Sequence, residues 1–443
     1  MKLELSEHFT YSKLFRFCFP SIVMMVFTSI YGVVDGLFIS NFVGKAAFAA
    51  VNLIMPFIMM IGGIGFMIGT GGSALVAKTL GEQKPDLANR YFTMMVKLAV
   101  ICGLILAVVG TILIKPISIW LGATEDMLGY CIVYGRIALI CNTTFILQNV
   151  FQSFFVVAQK PKLGLMAMIL AGVTNMALDA LFIGVFRWGV AGAAFATALS
   201  ECVGGFFGLI YFLRPNTSLL RLVRTKLELS PIRKACGNGA SELMTNISTS
   251  IVSMLYNFQL LRFAGENGVA AYGVLMYVQF VFIAMFLGYT IGTNPIVSYN
   301  YGAANHKELN NMLKKGLMIM GVSGVAMMLL AQLLATPLAT IFVGYDLELF
   351  EMTTHAFRIF SFAFILSGLN IFASAFFTAL NNGVISATIS FLRTLVFQML
   401  SVLILPELLG MDGIWWAITV AEVCACIISA FFFLKNRKRY HYA

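Results

Sequence analysis

Apolar residues run along this chain in stretches of 20 or more, separated by short polar breaks. Runs of that length predict helices that cross a bilayer, because a span needs about 20 apolar residues at 1.5 Å rise. The first six runs fall at about 14–40, 51–77, 91–113, 130–157, 163–185 and 190–213. Pro20 lies in the first turns of the first span, and the third is expected to end before Lys115-Pro116. The fourth stops at Gln159-Lys160-Pro161, and Arg187-Trp188-Gly189 forms a tight turn between the fifth and sixth. A hydrophilic stretch, 214–234, follows with Arg214, Arg221, Arg224, Lys226, Arg233 and Lys234. Six more runs lie at about 235–263, 269–299, 309–335, 354–380, 384–405 and 414–434, before a basic K-N-R-K-R tail. The expectation is an all-α membrane protein of twelve spans: one lobe in 1–213, a linker in 214–234 and a second lobe in 235–443.

Composition agrees with the pattern. Hydrophobic residues make up 60% and charged residues 11% of the chain, and the mean hydropathy is +0.90, which excludes an ordinary soluble class. The net charge of +10 does not indicate nucleic acid, because the basic residues fall mostly between apolar runs. With the amino terminus in the cytoplasm, only Lys45, Lys115, Arg136, Arg187, Arg262 and Arg358 of the 29 Lys and Arg lie on the outer side. That bias places both termini inside a cytoplasmic membrane. The cysteines have no C-x-x-C spacing and read as small apolar fillers. A cleaved secretory signal is not expected, since the first run is long and carries Asp35. The four histidines, His8, His306, His355 and His441, are scattered, so no catalytic or metal-binding spacing suggests an enzyme or a cofactor.

The two halves repeat at a shift of 221 or 222 residues. Gly44 falls on Gly265, Gly81 on Gly302, Pro116 on Pro337, Arg136 on Arg358, Gly189 on Gly410 and Glu201 on Glu422. Six spans per half make the repeats parallel, related by an axis along the membrane normal, an architecture used by transporters.

One carboxylate, Asp35, lies deep in the first span. A charge at mid-membrane costs roughly 2.5 to 3.5 kcal/mol on insertion scales, so such groups usually face a cavity or a partner and mark an ion or substrate path. The alternative is an Asp that only joins helices by hydrogen bonds. Asn175 and Asp179 are four apart on the fifth span and share a face. Asp35 is nine residues before Gly44, Asp179 nine before Trp188, and Thr197 nine after it. All three then lie roughly 13 Å below one boundary and can meet in one layer. Buried paired carboxylates can hold a proton near neutral pH, and the same all-oxygen set suits Na⁺; the residues do not choose between H⁺ and Na⁺. The second half lacks this set, since Tyr256 replaces Asp35 and Ile418 replaces Thr197. Glu201 and Glu422 lie deeper and read equally as symmetric packing, a gate or coupling. Glu242 lies near the inner end of the seventh span, where solvation explains it, and Arg393 snorkels or meets an anion. The glycine-dense G-G-I-G-F-M-I-G-T-G-G of the second span reads as close helix packing. Met55, Met59, Met60, Met254, Met276 and Met285 suit either ordinary packing or a permissive apolar cavity.

V-D-G-L-F-I-S in the first span, the G-E-Q-K loop after the second and P-I-V-S-Y-N-Y-G at 295–302 resemble the multidrug and toxic compound extrusion (MATE) family. The resemblance covers nearly the whole length. It implies two six-helix lobes and, in the branch with an N-lobe cation site, ligands at positions matching Asp35, Asn175, Asp179 and Thr197. Some relatives have an acidic residue just before the P-x-x-x-Y-N element, where this chain has Thr290, Ile291, Gly292, Thr293 and Asn294. The resulting expectation is a monomeric antiporter, driven by H⁺ or Na⁺, that exports organic, cationic amphipathic compounds by alternating access. A flippase for a lipid-linked precursor is the alternative and would need a more cationic cavity; a non-transporting structural membrane protein is another.

Overall fold

The structure is a computed structural model that describes residues 4–344 and 346–442. The side chain of Lys45, counted in the charge bias above, lies outside the described residues. The helices are α1 (Tyr11–Phe42), α2 (Lys45–Gly81), α3 (Pro85–Trp120), α4 (Glu125–Ile140 with Asn142–Val157), α5 (Pro161–Asp179, continued by Ala180–Val185) and α6 (Gly189–Leu213). The second lobe has α7 (229–264), α8 (Asn267–Gly302), α9 (His306–Val343) and α10 (Leu347–Phe360 and Phe364–Ala379). It ends with α11 (Gly383–Phe391, Leu392–Phe397 and Gln398–Leu409) and α12 (Met411–Tyr440). Ten of these are long and apolar enough to cross a membrane, or eleven with the bent α4, among the described residues. The remaining helix, α7, falls short because Asn238, Ser241, Glu242, Thr245, Asn246, Ser248 and Thr249 punctuate it. A span can carry that much polarity only where it faces protein or water rather than lipid.

Several boundaries differ from the sequence expectation for identifiable reasons. Helix α3 continues through Pro116 to Trp120, and α9 through Pro337 to Val343, because neighbouring helices in a membrane absorb the backbone groups that a proline frees. Helix α4 is not continuous: it bends by 54° at Cys141. There the Thr144 hydroxyl donates to the Cys141 carbonyl at 2.6 Å and competes with the helical ladder. Helix α7 starts at Leu229, six residues early, and the linker before it is extended. That linker is tied down on α3, where Asn89 accepts from the Arg221 amide and Thr93 from the Val223 amide.

The repeat is written in the backbone. Gly44 and Gly265, 221 apart, both have positive φ, as do Gly189 and Gly410 at the same spacing. The α2–α3 and α8–α9 turns place Gln83 (φ 60°) and Ala304 (φ 53°) in the left-handed region, again 221 apart. Equal departures from ordinary backbone at one offset show that the halves share their turns as well as their helices.

The lobes join at the end that carries both termini, called proximal here. Helices α2 and α7 touch backbone to backbone where Gly71 meets Gly239, and Gly81 and Gly302 make the same approach between α2 and α8. Any side chain at these glycines would overlap the facing main chain, which is the packing use of glycine that the α2 sequence suggested. The residues before α1 form a strap across the joint. Glu308 accepts from the Phe9 amide at 3.0 Å and lies 2.7 Å from His8 Nδ1, and Asn300 donates to the Leu5 carbonyl at 3.2 Å. Leu5 and Phe9 are fully buried in a core shared with Phe376, Tyr440 and Tyr442. Among the described residues every hydrogen bond between the lobes is proximal. At the distal end each lobe has its own core, around Ile54, Tyr134 and Ala193 in one and around Tyr256, Phe357 and Trp415 in the other.

Candidate functional site

The acidic and amide positions of the first lobe come together in its interior. Asn175 on α5 donates from Nδ2 to Thr197 Oγ1 on α6 at 3.4 Å. Asp35 on α1 and Asp179 on α5 lie close enough for their carboxyls to influence each other. Asp179 is wholly buried, Asn175 is 1% and Asp35 7% exposed. The local winding helps to aim Asp179: the six residues that follow it form a π-helix, in which the Phe186 amide reaches back five residues to Leu181. Such a widened turn is frequent at functional positions because it redirects side chains and loosens the ladder.

Five buried oxygens gather in this layer without a hydrogen-bond partner: Asp35 Oδ1, both Oδ of Asp179, Asn175 Oδ1 and the Tyr134 hydroxyl. Buried polar atoms are nearly always paired. None of the ion pairs among the described residues includes either carboxylate. An oxygen-only, net anionic and unpartnered set fits a hard monovalent cation or a proton bridging the two carboxyls. Above the layer, at the distal end of the lobe, a cavity of ≈ 500 Å³ is lined by Phe42, Val43, Ile183, Gly184, Arg187 and Gly189. Ile183 is one turn from Asp179.

Tyr134 on α4 was missed by the sequence reading, although it is buried close to Thr197 and the two carboxylates. The same depth count would have found it, because Tyr134 lies nine residues after the start of α4 at Glu125. The expected start near residue 130 hid the match.

The remaining candidates lie elsewhere. Glu201 is on α6 one turn proximal to Thr197, half-buried and without a hydrogen bond to its carboxylate among the described residues. Glu242 is thirteen residues into α7, about 20 Å from its start. It is therefore well inside the bundle rather than near the helix end, because α7 begins earlier than expected. Tyr256, the counterpart of Asp35, is buried and stacked on Tyr272 with centroids 4.8 Å apart, so an aromatic pair occupies the place of the acidic layer. Arg393 meets an anion within its own lobe. It grips Glu422 through Nε at 2.9 Å and Nη2 at 2.7 Å, and Asn370 Nδ2 adds a bond of 2.6 Å to the same carboxylate. That set, with Glu422 fully buried, is a fixed strut joining α10, α11 and α12.

Comparison with known proteins gives one consistent answer. The MatE family profile matches residues 20–181 and 243–404, one copy in each lobe. Multidrug export protein MepA of Staphylococcus haemolyticus is 24% identical over 450 residues, covering 99% of this chain and 97% of that protein. The protein of the same name from Staphylococcus saprophyticus is 25% identical, over 96% and 95%. Among solved structures, an outward-facing multidrug resistance MATE family transporter of the MOP superfamily superposes with a TM-score of 0.90 at 24% identity, covering 97% and 95%. A MOP superfamily transporter from Pyrococcus furiosus gives 0.89 at 24%, with the same coverage.

Proposed function

Starting from a chain that belongs to the MatE family, a family of membrane transporters rather than enzymes, we propose that it exports organic, cationic amphipathic compounds in exchange for H⁺ or Na⁺. The observation that carries this reading is the unpartnered carboxyl pair Asp35/Asp179 with Asn175, Thr197 and Tyr134 around it. In this reading 1–213 and 235–443 move as two bodies linked through 214–234, with both termini in the cytoplasm and one chain as the working unit.

The chemistry follows from charge and burial. Empty, the layer holds two carboxylates at short range in a low-dielectric interior, which opposes close packing of α1 against α5. A proton shared between them, or one Na⁺, removes that repulsion and lets the helices tighten. A ligand shifts a conformational equilibrium only through differential affinity for its states, and charge neutralisation at a helix junction supplies such a difference. In this reading the proximal seal and separate distal cores belong to an outward-open state that takes up the ion from outside. Inward movement of one positive charge down the membrane potential contributes about 2.3 kcal/mol per 100 mV. In this reading the amphipathic substrate binds between the lobes, alongside the polar positions of α7 and Glu242. Arg393 is taken up by Glu422, which argues against its recognising an anionic lipid-linked precursor.

Vesicles containing the full chain, loaded with a cationic dye and given proton or sodium gradients separately, test this directly. The Asp35→Asn, Asp179→Asn double variant should insert normally and lose gradient-driven export at least tenfold. Export at the wild-type rate in that variant would sink the proposal.

A further inference from the structure

The repeat gives Glu201 a built-in comparison. Its mate Glu422 is neutralised by Arg393 and held by Asn370. The same offset takes Asn370 to Asn149 and Arg393 to Gly172 or, at 222, Ala171. The N-lobe therefore keeps the acid and the amide but has no guanidinium. Asn149 is also buried with its Nδ2 lacking an acceptor, so the donor that its mate gives to the carboxylate is uncommitted. The ionisable groups near enough to feel Glu201 are Tyr31 and Asp35 from α1, Tyr134 and Cys141 from α4, and its neighbour Cys202. None of them carries positive charge. Glu201 sits twelve residues into α6, about 18 Å from its distal end and one turn beyond Thr197. Unlike Asp179, it is only partly buried.

We propose that Glu201 is a second proton-binding carboxylate of the transport cycle, stationed on the proximal side of the Asp35/Asp179 layer, where a removable proton does what Arg393 does permanently for Glu422. This rests on the proposed coupling role of Asp35 and Asp179 and extends it inward. A proton leaving that layer for the cytoplasm has Glu201 as its next acceptor, and the uncommitted Asn149 amide can take up the carboxylate once it is ionised.

Proton counting tests it. Detergent-solubilised full-length protein in weak buffer is mixed with tetraphenylphosphonium, and the protons released per molecule are read with an indicator. Glu201→Gln should release one proton fewer than wild type and flatten the acid side of the pH profile of dye efflux. Glu422→Gln should lower thermal stability yet leave the count unchanged. Should Glu201→Gln fail to accumulate, Glu201→Met, of similar volume, is read by the same criteria. A wild-type count and pH profile in the Glu201 variant overturns the proposal, as does a wild type that releases no proton. The parent reading is tested apart from it: if the Asp35/Asp179 double variant is dead while the Glu201 variant behaves as wild type, only the second station is lost.

Discussion

At the scale of single residues, this chain separates carboxylates that are paired for good from those left without a partner. Glu422 is the first kind: it is fully buried, with Arg393 and Asn370 on both oxygens. Removing one partner of such a pair leaves an uncompensated buried charge, which typically costs about 3 to 5 kcal/mol. Arg393→Gln should therefore lower the thermal unfolding midpoint sharply, whereas Arg393→Met with Glu422→Leu should recover most of the loss. A single variant as stable as wild type would show that the pair carries little. Asp35 and Asp179 are the second kind, and their unpartnered oxygens make the opposite expectation. Asp179→Asn removes a buried charge, so it should leave the unfolding midpoint unchanged or raised while impairing ion-driven export, measured on the same preparation. The depth count placed these two acids and Thr197 together from spacing alone. It was not applied to Arg393 and Glu422, whose pairing depends on how α11 and α12 rotate against each other, which no spacing encodes.

At the scale of elements, the breaks in the helices matter more than their lengths. The π turn after Asp179, the bend of α4 at Cys141 and the left-handed Gly265 between α7 and α8 all interrupt otherwise regular spans. The glycine crossings act at the same scale. Gly239 lies against the Met67 backbone of α2, so Gly239→Val cannot be accommodated without parting the lobes at their proximal joint. Spin labels on α2 and α7 near that crossing should report a longer distance in this variant, and an unchanged distance would mean that the contact is not tight. Most helices were legible as apolar runs because bilayer thickness sets their length. The ends at Pro116 and Pro337 were misread because proline stops helices in water, where no neighbouring helix takes up the freed carbonyl.

For the whole molecule, the open question is what holds the lobes in one arrangement. The strap before α1 is a candidate latch, since Glu308 on α9 binds both the Phe9 amide and His8, while Leu5 and Phe9 are buried in the shared core. Glu308→Gln weakens the charge-assisted bonds and should loosen the strap without touching the cation layer. Amide exchange at residues 5–10 should then rise by an order of magnitude or more, and a proximal label pair should sample wider separations. Unaltered exchange would show that the apolar anchors alone hold the strap.

The sequence by itself determined that the chain lies in a membrane, that it is a duplicated helical bundle, and that Asp35 and Asp179 share a depth. Those properties follow from hydropathy, from a constant offset and from a fixed rise per residue, all of which are local or one-dimensional. Only the tertiary structure decided which of the acids has a cation beside it. Partnership depends on how helices far apart in the chain rotate and bend against each other, and so Glu422 meets Arg393 while its mate Glu201 meets none.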